Sequence, residues 1–194
     1  MLNYIYQLVS PGMFAVKYSD EDFSKKVVIR PRYMAVCHAD QRYYLGNRDA
    51  KILHKKLPMA LIHECCGEVV YDGTNTFPRG QKVVLIPNVA PQMNIEGIYE
   101  NYARGSKFLS SGCDGFMREF VCMSPDRVVP FEGVNMVVAA ICEFVSVAVH
   151  AIGRFMRHTE KKFGTIGVWG CGSLSYVVCC CLRRLIPDAK ICVV

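Results

Sequence analysis

The sequence predicts a mixed α/β chain: a small β-barrel or sandwich, then a long helix, then the opening β-α-β unit of a parallel sheet. Three observations carry this. Short β-branched or aromatic runs, separated by Gly, Pro, Asn and Asp, recur from Tyr4 to about Pro130, the texture of a small barrel. The pattern then switches to apolar residues at helical spacing over Val137 to His158, with few breakers. Last, "GTIGVWG" runs into a glycine-rich turn that is followed by a second helical stretch and a second strand, the order of a β-α-β unit.

Taken in order, "KVVIRP" (Lys26 to Pro31), "GEVVYDG" (Gly67 to Gly73), "QKVVLIP" (Gln81 to Pro87) and "FMREFVCM" (Phe116 to Met123) are the expected strands. Gly67 suits a tight entry into the second of them. Between Asn88 and Ser111 the polar sequence has no clear period, so it reads as a long excursion of the kind that tends to carry function. After Pro130 come the helix Val137 to His158, a strand ending at Gly170, a helix Ser173 to Ile186 and a strand Ala189 to Val194. The expected organisation is a front domain over 1–136, a linking helix over 137–160 and a second unit over 161–194. A doubly wound sheet needs several strands covered on both faces, and two would leave an unpaired edge and apolar surface. The chain therefore reads as a fragment of a longer protein, an inactive natural truncation, or a stump that another chain completes.

Composition narrows the classes. Among 194 residues, 52% are hydrophobic and 21% charged, which describes a globular protein. The net charge of +6 comes from scattered Lys and Arg. That argues against a nucleic-acid stripe and leaves a mild field favouring anionic small molecules. The start "MLNYIYQLVSPGMF" lacks the basic region and apolar core of a signal peptide. "SYVVCCCLRRLI" is too short for a bilayer span and holds two Arg. A cytoplasmic protein with no membrane partner is expected. The eleven cysteines are odd in number and irregular in spacing, so they are expected as buried small side chains or ligands, not a disulfide framework.

Two clusters have chemical potential. "YMAVCHADQRYYLGN" (Tyr33 to Asn47) holds Cys37, and "LIHECCGEVV" holds His63 and Glu64 just ahead of a strand. Thiolate and imidazole are good zinc ligands, and a catalytic zinc needs three protein ligands with one open position. On the residues alone, a buried cysteine and a hydrogen-bonded histidine remain the competing account. In "GVWGCGSL", Gly170, Gly172 and Ser175 fit G-x-G-x-x-G with the last glycine replaced. Between a strand and a helix this is a dinucleotide phosphate turn or simply a tight strand–helix connection. Ser175 in place of glycine implies looser helix–strand packing.

The motifs in order, "VCHAD", "IHECCGEVV", "DGFMREFV", "EFVSVAVHA" and the glycine-rich turn, resemble the zinc-dependent medium-chain alcohol and polyol dehydrogenases. The finer wording "YMAVCHADQRYY", "KLPMALIHE" and "LSSGCDGFMREFV" is similar to the ribulose-5-phosphate reductases (ribitol-5-phosphate 2-dehydrogenases), over essentially the whole chain. The resemblance implies a GroES-like β-barrel catalytic domain followed by the first β-α-β of an incomplete Rossmann domain. It implies one catalytic zinc held by Cys37 and His63, with Glu143 as third ligand and Glu64 either supporting it or exchanging with it. Asp40 would support the ligands by hydrogen bonding. Many relatives carry Ser or Thr where this chain has Ala39, so proton relay falls to Tyr43, Tyr44, His38 or water, with Tyr43 preferred. Only Cys113 lies near the 88–111 excursion, where many relatives hold a four-cysteine structural zinc, so a second zinc is not expected. Arg42, or else Arg48, is the candidate for the substrate phosphate, against the alternative of a solvated surface arginine.

The function so implied is that of the family, NADP(H)-dependent reduction of D-ribulose 5-phosphate to D-ribitol 5-phosphate, with this chain alone expected to be inactive. Its product would feed CDP-ribitol for teichoic acid or capsule of the cell wall. A cytidylyltransferase of the same pathway is the implied partner, and the full-length enzyme is expected to be a homo-oligomer. The preference for NADP rests on the resemblance, because the residue that reads the 2′-phosphate normally follows the second strand. A non-catalytic zinc-binding remnant, or a polyol dehydrogenase acting on an unphosphorylated sugar alcohol, are the competing functions.

Overall fold

A hairpin opens the chain, formed by β1 (Leu2–Ser10) and β2 (Met13–Asp20), paired from Leu2↔Asp20 to Ser10↔Met13. The computed structural model describes residues 1–91, 99–159 and 164–194. These form two units, Met1–Ile141 and Cys142–Val194. Part of the expected 88–111 excursion and the expected junction at 160/161 lie outside the described residues.

In the first unit the elements continue as β3 (Val27–Ala35), α1 (His38–Tyr44), α2 (Ala50–Lys56), β4 (Met59–Ala60), β5 (Glu64–Asp72), β6 (Lys82–Leu85) and β7 (Asn88–Val89). Then follow β8 (Lys107–Phe108), β9 (Val121–Met123), β10 (Val128–Pro130) and α3 (Met136–Ala139). One sheet has the order β2-β1-β4 and the larger one β10-β6-β5-β3-β9, with every pair antiparallel. Leu8, Ile29, Met59, Val69, Val83, Phe116 and Val121 are buried in one core. Each such side chain stabilises the fold by about 1.5–3 kcal/mol relative to exposure.

The expected strands are present, with edges moved for physical reasons. The second begins at Glu64, three residues before Gly67. Gly67 pairs with Pro31 in mid-strand, where a Cβ would strike the Arg30 carbonyl and the Ile29 side chain. Close approach of β3, not entry into the strand, is why a glycine stands there. Of Phe116 to Met123 only the last three residues are strand. Arg118 donates from Nε to the Gly115 carbonyl (2.8 Å) and from its terminal nitrogen to the Asp114 carbonyl (2.8 Å), which holds the preceding backbone in a turn. Two short helices outside the sequence expectation, α1 and α2, start at the N-caps Cys37 and Asp49. At seven residues each they are too short to print a helical period.

The helix expected over Val137 to His158 is in two pieces, α3 and α4 (Cys142–Arg157). Asn135 caps α3 by accepting from the Val137 N–H at 2.8 Å. Ala139 and Ala140 are buried beside Cys66 of β5, so α3 packs within the first unit. The second unit holds α4, β11 (Thr165–Val168), α5 (Ser173–Leu185) and β12 (Lys190–Val193). β11 and β12 pair in parallel, from Thr165↔Lys190 to Val168↔Val193, with α5 as the crossover: the opening of a Rossmann-type sheet. Among the described residues no helix is long and apolar enough to cross a membrane.

Candidate metal centre

Cys37 lies two residues beyond the end of β3 and is the N-cap of α1, with extended backbone at φ −84 and ψ 170. Its Sγ accepts from the Asp40 N–H (3.4 Å), and Asp40 Oδ2 accepts from the Cys37 N–H (3.2 Å). This is a capping box with Cys in place of Ser or Thr. It pulls Asp40 inward until only 1% of it is exposed. The other carboxylate oxygen, Oδ1, accepts from the Ile62 N–H (3.0 Å) and from Ser110 Oγ (3.1 Å). Ser110 Oγ in turn lies 3.2 Å from His63 Nδ1. Asp40 thus ties Cys37 on α1 to the segment that carries His63.

That segment is tightly held. Ile62, the residue before His63, has φ +72, a conformation rare for a β-branched side chain and one that persists only where surrounding contacts impose it. Those contacts are on both sides. The Ala60, Leu61 and Ile62 carbonyls accept from Gly115 (2.8 Å), Met117 (3.1 Å) and Phe116 (2.7 Å) N–H groups, while the Ile62 N–H is held by Asp40. The Phe108 ring meets the His63 ring edge-on, centroids 5.2 Å apart.

Ligand atoms of Cys37, Asp40 and His63 lie within 4.8 Å of one another, as do those of His63 and Glu64. A thiol and an imidazole at this spacing suit zinc. Three of about four acceptor sites on the Asp40 carboxylate are already used, so Asp40 supports the other two and is not itself a free donor. Burial pushes the Cys37 thiol up to about 12, with the neighbouring Asp40 charge adding to it against a backbone hydrogen bond that lowers it. A bound divalent cation reverses that preference by stabilising the thiolate. Glu64, the first residue of β5, is buried. Glu143 lies in the first turn of α4, in the second unit, and its carbonyl accepts from Ser146 Oγ at 2.6 Å.

The other candidates take distinct places. Tyr43 is buried at 2% exposure and its hydroxyl has no hydrogen-bond partner among the described residues. The Arg48 guanidinium lies over its ring, 4.0 Å from the centroid, and the Arg48 Nε is likewise unpartnered. Arg42 is exposed on α1 and donates from Nε to the Asn47 carbonyl (3.1 Å). Tyr44 stacks on Phe14 of β2, and His38 is exposed. In the second unit Gly170 has φ +103, and Gly172 is the N-cap of α5. Ser175 Oγ lies 3.3 Å from where a Cβ on Gly170 would be, so all three motif residues gather at one strand–helix turn. No side chain caps α5 among the described residues, and its first N–H groups are the kind that bind phosphate.

Sequence reasoning missed Ser110 and the Ile62 N–H. Ser110 falls inside the 88–111 excursion, whose lack of period was the available signal; nothing local marks its contact with His63.

The family profile for the alcohol dehydrogenase GroES-like domain matches residues 24–133. Among curated relatives, the ribulose-5-phosphate reductase of Streptococcus pneumoniae is 54% identical, and that of Bacillus spizizenii 48%. The matches cover 100% and 98% of this chain but 57% and 56% of the relatives, so the chain spans little more than half their length. Staphylococcus aureus TarJ, solved in complex with NADPH, superposes with a TM-score of 0.80 at 40% identity, over 100% of this chain and 54% of that one. L-idonate 5-dehydrogenase from Escherichia coli gives a TM-score of 0.86 at 20% identity, over 100% and 57%, a likeness of fold alone.

Proposed function

The chain belongs to the alcohol dehydrogenase GroES-like domain family, and from that premise we propose that it is the front of an NADP-dependent, zinc-dependent reductase of D-ribulose 5-phosphate. The observation that carries this reading is the cluster of Cys37, Asp40 and His63, with ligand atoms within 4.8 Å, in a chain 54% identical to a ribulose-5-phosphate reductase.

Cys37 and His63 would hold the zinc, with Glu143 as third ligand and Glu64 as its alternative. When bound, zinc supplies polarisation of the substrate carbonyl and the nicotinamide supplies hydride, giving D-ribitol 5-phosphate. The protein's own task is placement. Asp40 fixes the thiol and, through Ser110, the imidazole. Gly170, Gly172 and Ser175 line the turn at the start of α5 that receives the cofactor pyrophosphate. Ala39 has no hydroxyl, so proton delivery is assigned to Tyr43, whose OH is uncommitted. Arg42 is assigned the substrate phosphate, which its terminal nitrogens can meet while Nε stays on the Asn47 carbonyl; the alternative is Arg48, whose Nε has no partner among the described residues. A cytoplasmic homo-oligomer whose product passes to a cytidylyltransferase, for teichoic acid or capsule synthesis, completes the proposal.

Metal analysis on the purified chain and NADPH oxidation by a protein of the relatives' full length test it. About one zinc per chain, lost in Cys37→Ser, is the expected result; this chain spans 57% of its relative, so turnover that requires D-ribulose 5-phosphate is expected of a protein of the relatives' full length and not of this chain alone. Zinc below about a tenth of an equivalent after gentle purification overturns the metal site. Zinc without turnover in a protein of the relatives' full length supports a non-catalytic module instead. Equal oxidation rates of ribitol 5-phosphate and sorbitol would sink the phosphate assignment.

A further inference from the structure

We infer that Ser110 is a positioning residue that selects the tautomer of His63, keeping the ring proton on Nδ1 and leaving Nε2 as the lone-pair donor. The geometry stands independently; its consequence for metal binding rests on the zinc reading above.

The argument is a count of protons. Ser110 Oγ has one proton to give and lone pairs to receive, and it faces two groups, Asp40 Oδ1 at 3.1 Å and His63 Nδ1 at 3.2 Å. Asp40 accepts at every described contact: Oδ2 from the Cys37 N–H, Oδ1 from the Ile62 N–H and the Ser110 hydroxyl. Were the serine proton turned toward Nδ1, two oxygen lone pairs would confront each other without a proton between them. Ser110 is 4% exposed and Asp40 1%, so bulk water does not relieve that clash, and an unmade hydrogen bond in such a place is expensive. The serine proton therefore goes to Asp40. Its oxygen is then an acceptor toward Nδ1, which must carry the proton.

The hydroxyl is held where this works. Ser110 sits at φ +65, in the left-handed region that non-glycine residues seldom adopt. It is fixed by its N–H to the Cys113 carbonyl (3.0 Å) and by the flanking Leu109 to Pro87 (3.0 Å) and Ser111 to Phe108 (3.1 Å) bonds. Phe108, two residues earlier, packs edge-on against the same ring at 5.2 Å. One short segment therefore sets both the plane of His63 and the nitrogen it presents. A ligand histidine needs its other nitrogen held in this way, and here a serine stands between the imidazole and the carboxylate.

The test uses metal-free chain with 15N-labelled histidine rings, read by long-range 1H–15N correlation at about pH 8.5, two units above the ordinary histidine pKa. His63→Gln identifies the resonance. The parent is expected to show the Nδ1–H pattern, and Ser110→Ala and Ser110→Gly to populate the Nε2–H form. Both variants are expected to lose about 10–100-fold in zinc affinity. Glycine adopts the left-handed backbone without steric cost, so it removes the hydroxyl while sparing the fold. A parent spectrum with Nε2–H, or both variants keeping the Nδ1–H pattern, would overturn the inference. Failure of the parent to bind zinc would overturn the metal reading alone, since the tautomer is read without metal.

Discussion

Replacing Asp40 with alanine deletes a carboxylate that accepts from Cys37 N, Ile62 N and Ser110 Oγ. The three donors do not lose equally. The Ile62 N–H is buried on a backbone held at φ +72 and cannot turn to another partner, so it bears an unsatisfied-donor cost of about 2 kcal/mol. The Cys37 N–H loses half of a capping box, about 1 kcal/mol. The Ser110 hydroxyl rotates freely and loses about 1 kcal/mol. Together these come to about 4 kcal/mol, a large share of the 5–15 kcal/mol typical of a domain. Urea unfolding followed by far-UV circular dichroism should show that loss as a lower midpoint with an unchanged slope. Asp40→Asn separates the contributions. Its oxygen still receives Ile62 N and Ser110, while its amide faces the Cys37 N–H, donor against donor, so a loss of only about 1–2 kcal/mol is expected. Alanine within about 0.5 kcal/mol of the parent, or asparagine as damaging as alanine, would refute this account of how the site is held.

Three further outcomes follow from other parts of the molecule. A Cβ at position 115 would come closer than 3.0 Å to the Leu61 and Ile62 carbonyls, which are backbone and cannot yield by a rotamer change. Gly115→Ala should cost about 2 kcal/mol in denaturant unfolding and lower zinc retention through the His63 segment; an unaltered midpoint would show that the segment is looser than it looks. Burial tends to raise Asp72, but hydrogen bonds from Thr74, Phe77 and Thr76 outweigh it and hold its carboxyl below 3.8. A depressed folded pKa contributes stability that is present above the unfolded value and lost as pH falls through the folded one. Asp72→Asn should therefore destabilise at neutral pH, with the gap to the parent closing below 3.8; a gap constant across that range would contradict it. Because burial pushes the Cys37 thiol up to about 12, zinc must displace a proton there. Apparent zinc affinity by competition titration should climb about tenfold per unit from about pH 7 to about pH 9, and a flat profile would remove Cys37 from the ligand set.

What was legible depended on range. The strands around Val28, Val69 and Val84 show in the sequence because β-branched alternation between turn residues is local information. Cys37 and His63 were nameable because their motifs are contiguous. The break between α3 and α4 was hidden, since it comes where Ala139 and Ala140 bury against Cys66 in another element. The places of Arg42 and Tyr43 were hidden too. The first is tied to the Asn47 carbonyl and the second lies under Arg48, contacts that depend on how the backbone turns after α1.

Residue chemistry and order, by themselves, determined that a thiol, an imidazole and a carboxylate were available in a barrel-type domain ahead of a glycine-rich turn. Only the tertiary structure decided that Asp40 meets Ser110 across 70 residues, and Ser110 meets His63 across 47. The reason is physical: strand pairing, that of β7 with β8 included, brings those side chains to one point, and no local pattern of amino acids records a contact made at that distance along the chain.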